Sequence, residues 1–283
     1  NLVVKINYQM SDLQNEDMFF KDKYVQKTFH NILPSLMYRY RNSKRKSIQI
    51  NYRTSVDAPS IQQLQEVPDN TNPTQITIGN SMLTTNYQHN MFARYFNTNI
   101  DKGKTFFALI GGGFSNNYIG NNTFMANKDT MINNISLMAG SQLSSYNNMP
   151  GYYNLRSMIS YGIPIALIKS NFMLNINANY SQTPGIINGE KNYVYKPTIG
   201  AGITISSNIS KEIDFTISSN ANYNIIKNKL KKQNDYSYYN YFNRLRFNWI
   251  IGKKFVFQTD INQIINSGLS KGYDLQTIAI NSA

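Results

Sequence analysis

The sequence has no cysteine, few charged residues and no long apolar run. The absence of cysteine excludes a disulfide framework and thiolate chemistry. Charged residues make up 15% of the 283 residues, whereas about a quarter is usual in soluble domains. No stretch of about 18 apolar residues is present, which excludes a transmembrane helix. A membrane β-barrel stays possible, because alternating strands give only a weak hydropathy signal and the mean hydropathy here is −0.43.

Residues suited to catalysis or metal binding are also scarce. The two histidines, His30 and His89, lie in different predicted strands with no carboxylate at ligand spacing, so no metal site is predicted. The run 111–113 is all glycine but lacks the Gly-Lys-Ser/Thr ending of a phosphate loop, and a kink in a curved sheet is the better interpretation. Asp214 and Asp260 are expected to form hydrogen bonds rather than a glycosidase pair. We therefore predict no catalytic, metal or cofactor-binding residue and no enzyme activity.

The formal net charge of +13 is a feature shared with nucleic-acid-binding proteins. Its lysines and arginines are nevertheless scattered through turns, loops and polar strand faces. The densest group falls between two predicted strands and is expected to be a solvated turn; it consists of Arg39, Arg41, Lys44, Arg45 and Lys46. No nucleic-acid partner is predicted.

Apolar and polar residues alternate most clearly between positions 171 and 226, where three successive segments each have one apolar face and one amide- and hydroxyl-rich face. A period of two residues is typical of β-strands. The same pattern elsewhere predicts an all-β antiparallel fold of about twelve strands. These cover residues 2–9, 28–41, 48–53, 87–100, 105–118, 153–167, 171–181, 193–206, 213–226, 239–251, 255–265 and 275–280. Pro34 lacks an amide hydrogen, which predicts broken or bulged pairing in the second strand.

The connections between these strands alternate in length. Short ones at 42–43, 101–103, 169–170, 208–211 and 252–253 alternate with long polar ones at 11–26, 54–84, 119–150, 182–192, 227–237 and 266–273. A short helix at 60–65 and a small hairpin within 121–145 are predicted inside the long connections. Short turns at one rim and long loops at the other are the layout of an outer-membrane barrel.

Tyrosines near the predicted strand ends suit the aromatic bands of such a barrel, although tyrosine is also simply a good strand former. They are Tyr38, Tyr40, Tyr52, Tyr95, Tyr153, Tyr161, Tyr180, Tyr193, Tyr195, Tyr223, Tyr239 and Tyr241. In this geometry the apolar face meets lipid and the polar face lines a wet interior. The prediction is lipid contact at Phe172, Ile203 and Phe215, and water contact at Asn175, Thr204 and Asn220.

Six arginines alternate onto the polar side of the predicted strands: Arg39, Arg53, Arg94, Arg156, Arg244 and Arg246. Two interpretations stay open for them. They form a cationic lining that meets a plug or an anionic ligand, or they form hydrogen bonds to neighbouring interior side chains. Ligand contact is expected chiefly in the long loops 54–84 and 119–150, because loops on a rigid scaffold often carry recognition. No individual ligand-binding residue is predicted.

The loop after the third strand resembles a segment of TonB-dependent-receptor-type outer-membrane barrels. The residues concerned are Ala58-Pro59-Ser60-Ile61-Gln62-Gln63-Leu64-Gln65, Asp69-Asn70, Asn72-Pro73, Ile78-Gly79-Asn80, Leu83 and Asn86-Tyr87. The resemblance continues more weakly through 151–156, 183–189 and 206–210, and spans the chain from about residue 28 to residue 273. It implies an outer-membrane transporter or receptor in a Gram-negative cell, importing a nutrient without covalent chemistry. The implied partners are outer-membrane lipid, a plug domain of the same full-length chain, a TonB-type energy-coupling protein and a surface lipoprotein.

The sequence departs from that family in lacking a plug domain and an energy-coupling motif, and its last residues are Asn281-Ser282-Ala283 instead of an aromatic residue. Residues 1–283 are therefore expected to be the C-terminal portion of a larger barrel of roughly 22 strands. Two alternatives stay open. One is a self-contained twelve-stranded barrel that acts as a passive pore or as an outer-membrane hydrolase with a Ser–His pair near one rim. The other is a secreted soluble β protein that binds glycans.

Overall fold

The computed structural model describes residues 1–15, 25–43, 45–132, 134–207, 210, 212–252, 255–269 and 272–282. Its first strands are β1 (Leu2–Asn15), β2 (Val25–Ser43), β3 (Lys46–Asp57), β4 (Gln75–Thr77), β5 (Asn86–Asn99) and β6 (Lys104–Asn116). Then follow β7 (Tyr118–Met125), β8 (Thr130–Ile132), β9 (Ile135–Leu137), β10 (Gln142–Met149), β11 (Tyr152–Ile165) and β12 (Ser170–Ile187). The last are β13 (Glu190–Tyr195), β14 (Thr198–Ser207), β15 (Ile213–Asn228), β16 (Tyr236–Ile251), β17 (Phe255–Ser267) and β18 (Leu275–Ser282). One α-helix, α1 (Ile61–Leu64), lies between β3 and β4, and 3-10 turns cover Ala166–Ile168 and Lys232–Asn234.

Sixteen of these strands form one sheet, whose main path runs β1-β2-β3-β5-β6-β11-β12-β13-β15-β16-β17-β18 with antiparallel neighbours. The prediction of an all-β antiparallel fold is confirmed. The described residues contain eighteen strands where about twelve were expected. The long connections contain β4 and β7 to β10, and Pro197, which cannot donate to a ladder, separates β13 from β14.

The sheet has two edges in the part of the chain that the structure describes. β1 pairs with β2, and β18 pairs with β17, and neither has a second strand neighbour there. Large apolar side chains on both edge strands are more than half exposed, among them Ile6 at 73% and Ile280 at 64%.

The break in pairing expected at Pro34 is present in one of the two ladders that β2 forms. The register of β1 and β2 runs without a break through Ile6 and Pro34, whereas the pairing of β2 with β3 begins one residue later, at Ser35. The Thr54 hydroxyl donates a hydrogen bond to the Pro34 carbonyl oxygen over 2.8 Å. Proline thus ends one ladder and leaves the other intact. The register shift in β2 lies between Arg41 and Ser43.

The predicted loop 182–192 is mostly paired strand. β12 continues to Ile187 and pairs with β13 across the turn at Asn188 and Gly189, whose φ angles are 49° and 82°. Two successive residues with positive φ make the tight hairpin turn that matches strand twist, and Asn-Gly is its favoured sequence. The predicted loop 11–26 is also shorter, because Asn15 pairs with Val25. Residues 16–24, Lys44 and most of the turn 208–211 lie outside the described residues.

The buried apolar core lies in the long connections and not between two layers of sheet. We call residues 58–85 and 118–149 together the loop module. β4 pairs in parallel with β10, which also pairs with β7, and β8 pairs with β9. The core of the module consists of Ile76, Ala126, Ile135, Leu137 and Leu143. The predicted helix at 60–65 is present as α1, and Ser60 and Gln63 form a reciprocal capping box. In the described ranges no helix has the length and apolar character needed to cross a bilayer.

Candidate functional site

The main sheet separates an apolar face from a polar face, as the alternation predicts. Phe172, Ile203 and Phe215 lie on the apolar face, and Ile203 is 43% exposed. Phe172 and Phe215 are partly exposed and do not belong to a buried core. Asn175, Thr204 and Asn220 lie on the other face. An apolar strand face without a protein layer against it needs another covering, because large exposed apolar patches are rare on soluble monomers.

Aromatic side chains gather at both ends of the apolar face. Near the long connections, the Tyr153 and Tyr180 ring centroids are 5.8 Å apart, and those of Tyr223 and Tyr239 are 4.8 Å apart. Near the short turns, Phe247 lies 6.4 Å from Phe257 on the neighbouring strand. Several of the tyrosines expected near strand ends thus form contacting bands.

The polar face places four of the six predicted arginines in two different settings. In the first, Arg39 of β2 and Arg94 of β5 lie directly opposite Gln49 of β3, which is between them. Both guanidinium groups donate to the same Gln49 amide oxygen, Arg39 over 3.2 Å. Gln49 is 8% exposed and donates in turn to the Asn51 side-chain oxygen over 3.1 Å. Two cations thus share one neutral acceptor, and neither has a carboxylate partner among the described residues.

A pocket of about 510 Å³ adjoins this setting on β5, β6, β11 and β12. Its lining includes Phe92, Arg94, Phe107, Leu109, Arg156, Met158, Asn177 and Asn179. Arg156 lies opposite Gly111, which lies opposite Phe92, so the residue between the arginine and the aromatic ring has no side chain. A Cβ atom at Gly111 would be 2.8 Å from Phe92 Cβ. The glycine run therefore allows close approach of strands, and at Gly111 no side chain stands between Phe92 and Arg156.

We call the following set the arginine patch: Arg39, Gln49, Asn51, Phe92, Arg94, Phe107, Leu109, Arg156 and Met158. It has more donors than acceptors. The Asn51 side-chain nitrogen is buried and has no acceptor in the described part of the chain. Arg156 is exposed and has no hydrogen bond or ion pair to a described residue. Such a surface favours a ligand that supplies acceptor oxygens.

The second setting lies on β16 and β17, where Arg244 and Arg246 both contact Asp260. Arg244 binds this carboxylate through two nitrogens, with Nε 3.1 Å from Asp260 Oδ1. Asp214 accepts instead from the Ser207 hydroxyl over 3.2 Å. Two interpretations were left open for the six arginines. Hydrogen bonding to neighbouring side chains is found for four of them: Arg39, Arg94, Arg244 and Arg246. Arg53 and Arg156 form no hydrogen bond to a described residue.

The two long loops predicted to contact ligand combine into the loop module. The Asn80 side chain donates to the Tyr146 carbonyl oxygen over 2.9 Å, which joins the two loops. Lys27 of β2 donates to the Ser81 and Leu83 carbonyl oxygens over 2.7 and 2.6 Å, which anchors the module to the sheet.

Two carboxylates of the loop module accept hydrogen bonds from neutral donors. Hydrogen bonds from the Ser81 hydroxyl and amide lower the pKa of Glu66, and those from Thr71 lower the pKa of Asp69. A pocket of about 650 Å³ opens between the module and the tip of the β12–β13 hairpin.

The two histidines lie on the apolar face, and each forms a hydrogen bond with a tyrosine hydroxyl. His30 Nδ1 is 2.5 Å from the Tyr8 hydroxyl, and His89 Nδ1 is 2.8 Å from the Tyr52 hydroxyl. The His89 ring also stacks on Phe114 with centroids 4.5 Å apart. Within the described ranges neither histidine contacts a serine hydroxyl or a carboxylate, and no three His, Asp or Glu side chains converge as a metal site.

Sequence reasoning did not find the apolar part of the arginine patch. Phe92, Phe107, Leu109 and Met158 share the face of Arg94 and Arg156. The strand at 87–100 has apolar residues on both of its faces, as in Phe92-Ala93-Arg94-Tyr95-Phe96, and this departure from alternation was the available signal. Gln49 and Asn51 have no distinguishing feature in the sequence, because their importance depends on which residues lie opposite them.

The sequence matches no protein-family model, and no curated protein is significantly similar to it. Among solved structures, the chain is similar to LpxR from Salmonella typhimurium, with 8% identity and a TM-score of 0.29, over 89% of this chain and 86% of LpxR. In view of this match, the prediction that the present chain is not an enzyme does not stand. No activity is transferred to the present chain from a match with this TM-score.

Proposed function

We propose that the chain forms the wall of an outer-membrane β-barrel of the receptor and transporter type, with its apolar face in lipid and its arginine- and amide-bearing face around a wet interior. One observation carries this proposal: the exposed apolar face of the sheet continues over consecutive strands and is bordered by aromatic bands. Outer-membrane barrels have this arrangement, with an apolar band flanked by aromatic girdles and a polar inner surface.

Connection lengths support the same orientation. The short turns, such as that between β5 and β6, lie at one end of the strands, and the loop module lies at the other. The loop module is then the surface that a solute meets first, and the arginine patch lies below it on the inner face. A solute taken up from outside would pass from the loop module to the arginine patch.

Cysteine labelling tests the assignment of faces, because the chain has no native cysteine. Single cysteines replace Phe172, Ile203 or Phe215, and Asn175, Thr204 or Asn220. In lipid vesicles, a membrane-impermeant thiol reagent is expected to label the second set and to leave the first set unlabelled. The opposite pattern, or equal labelling of both sets, would show that the apolar face does not lie in lipid.

The TonB-coupled form of this function is a proposal that rests on the sequence resemblance of residues 58–87. It requires a plug domain of the same full-length chain, an energy-coupling protein in the periplasm and, as a further partner, a surface lipoprotein. Uptake of a labelled nutrient by cells that carry the full-length chain should stop when the energy-coupling protein is deleted. Uptake that continues at the same rate would exclude this form of the function.

A self-contained passive pore is the second candidate, and the twelve-strand main path of the sheet favours it. β1 and β18 are the first and last members of an antiparallel path with an even number of strands, so their pairing would close a barrel. Exposed edges in lipid are not viable, because backbone groups there have no water to bind. The chain alone in a planar bilayer should then conduct ions in steady steps. A chain that gives no conductance without a further segment would exclude this candidate.

A further inference from the structure

We propose that the arginine patch binds an organic anion: an oxyanion headgroup held between Arg94 and Arg156, and an apolar body held against Phe92, Phe107, Leu109 and Met158. The inference rests on the proposed function, because it requires the polar face to be in water. It adds the chemical class of the ligand, which the barrel alone does not specify.

The headgroup is inferred from charge and from unsatisfied donors. Arg94 shares the oxygen of Gln49 with Arg39, so its guanidinium keeps donors free, and Arg156 contacts no acceptor in the described residues. Carboxylate, sulfonate and phosphate oxygens accept several charge-assisted hydrogen bonds at once, which matches this set of donors. A cationic or neutral headgroup does not.

The apolar body is inferred from the other lining residues. Phe92, Phe107 and Leu109 are half-buried and Met158 is 38% exposed, although all four lie on the polar face. The volume of about 510 Å³ falls in the range of small-molecule sites, which is about 300–1,000 Å³. Gly111 leaves the space between Phe92 and Arg156 open, so a flat body can reach the arginine across it. A free inorganic anion would leave these four side chains uncovered.

Arg53 and Arg156, two strand arginines on the polar face without a partner among the described residues, provide a matched pair of variants. Arg53 lies on the same face, forms no hydrogen bond or ion pair to a described residue, and does not line the pocket. Arg156→Gln therefore removes a pocket cation, and Arg53→Gln removes a cation of the same kind outside the pocket. Neither substitution takes a donor away from another described side chain, so both are expected to leave the fold intact.

Isothermal titration of the chain in lipid nanodiscs tests the proposal with 2-naphthoate, its neutral counterpart 2-naphthalenemethanol, and acetate. We expect naphthoate to bind at least about tenfold more tightly than either comparison compound, because it supplies both parts of the ligand. Arg156→Gln should weaken naphthoate binding about tenfold, and Arg53→Gln should change it by less than about twofold.

Equal weakening by the two substitutions would reveal a diffuse electrostatic effect and would overturn the site. Equal affinity for naphthoate and naphthalenemethanol would overturn the headgroup, and equal affinity for naphthoate and acetate would overturn the apolar body. Cysteine labelling of the same preparation separates this inference from the proposed function. A correct labelling pattern without naphthoate binding counts against the anion site alone, whereas a reversed pattern counts against the barrel orientation.

Discussion

Two arginine clusters on one face of the same sheet satisfy their charges in different ways. In the first cluster, on β2, β3 and β5, Arg39 and Arg94 share the neutral amide of Gln49. In the second cluster, on β16 and β17, Arg244 and Arg246 share the carboxylate of Asp260. The second cluster is complete by itself. The first cluster leaves positive charge next to an apolar pocket, and this difference separates a binding surface from a structural ion pair.

The comparison also explains why the count of basic residues says little about function here. The formal net charge of +13 covers both clusters and the solvated turns. Arg45, in one such turn, has Asp101 as a partner at 3.3 Å, and both side chains are largely exposed. What distinguishes the arginine patch is that no acid among the described residues forms an ion pair with it, together with the aromatic and aliphatic side chains beside it.

Gly111→Ala should have the largest effect, because it adds a Cβ atom between Phe92 and Arg156, next to the first cluster. The new Cβ atom would lie 2.8 Å from Phe92 Cβ and 3.0 Å from the Met91 carbonyl oxygen, so the strands must move apart. We expect a loss of about 1–3 kcal/mol in the free energy of unfolding, measured by urea unfolding in lipid vesicles. Gly185→Ala is the control, since its new atom has no neighbour nearer than 3.4 Å. Equal stability of both variants would contradict the close approach at Gly111.

Asp260→Asn should convert the second cluster into the first. The amide keeps the shape of the side chain but removes the charge that holds Arg244 and Arg246 together. We expect a lower urea midpoint, and a naphthoate affinity gained on β16 and β17 that Arg244→Gln then removes. Ser207→Ala, which deletes a donor to Asp214 on a neighbouring ladder, serves as the comparison. An unchanged midpoint together with unchanged anion binding would contradict the proposed distinction.

Gln49→Glu should convert the first cluster into the second. A carboxylate at this buried position would neutralise Arg39 and Arg94, and hydrogen bonds to charged groups are stronger by about 1 kcal/mol than those to neutral ones. We expect the free energy of unfolding to rise by about that amount and naphthoate binding to fall. Gln49→Met has a similar volume and no acceptor, and it should lower stability instead. If both variants destabilise the chain alike, the two guanidinium groups do not depend on this oxygen.

Glu66 is a carboxylate that accepts hydrogen bonds from neutral donors and has no cationic partner among the described residues. Changing its protonation should have the smallest effect of the four predictions. Ser81 lowers the pKa of Glu66, so its stabilising contribution is present above the unfolded value of about 4.3 and is lost as the pH falls below it. Amide hydrogen exchange at Ser81 should therefore become faster between about pH 5 and pH 3, relative to the intrinsic rate. In Glu66→Gln, exchange should be faster already at pH 6 and should not respond to pH in this window. The same pH response in both proteins would assign the effect to another group.

Much of the fold could be predicted from local pattern. Alternation of apolar and polar residues predicts the strands, because side chains on neighbouring positions of a strand point to opposite faces. Ser60 and Gln63, three residues apart, are suited to the capping box that begins α1. Pro197 and the pair Asn188-Gly189 are both residue types that are common in turns, but their effects differ. The proline splits a strand, and the Asn-Gly pair extends one by closing a tight hairpin.

The candidate site depends on register, which local pattern does not determine. Arg39, Gln49 and Arg94 lie opposite one another only because β2, β3 and β5 pair as they do, and a shift of one residue would send Gln49 to the other face. The apolar pocket residues were hidden for a different reason. Phe92 and Tyr95 are apolar on opposite faces of one strand, so alternation alone does not tell which of them meets a ligand.

The loop module joins two segments that are far apart in the chain: Asn80 and Tyr146, which connect them, are separated by 66 positions. β5 and β6 lie between these segments in the chain and pair with each other, which brings both segments to the same end of the sheet. Contacts between distant parts of a chain form slowly, since their closure entropy must be overcome first. We therefore expect the loop module to be completed after the main sheet, and changes in its core to slow this last step while leaving the assembly of the strands unaffected.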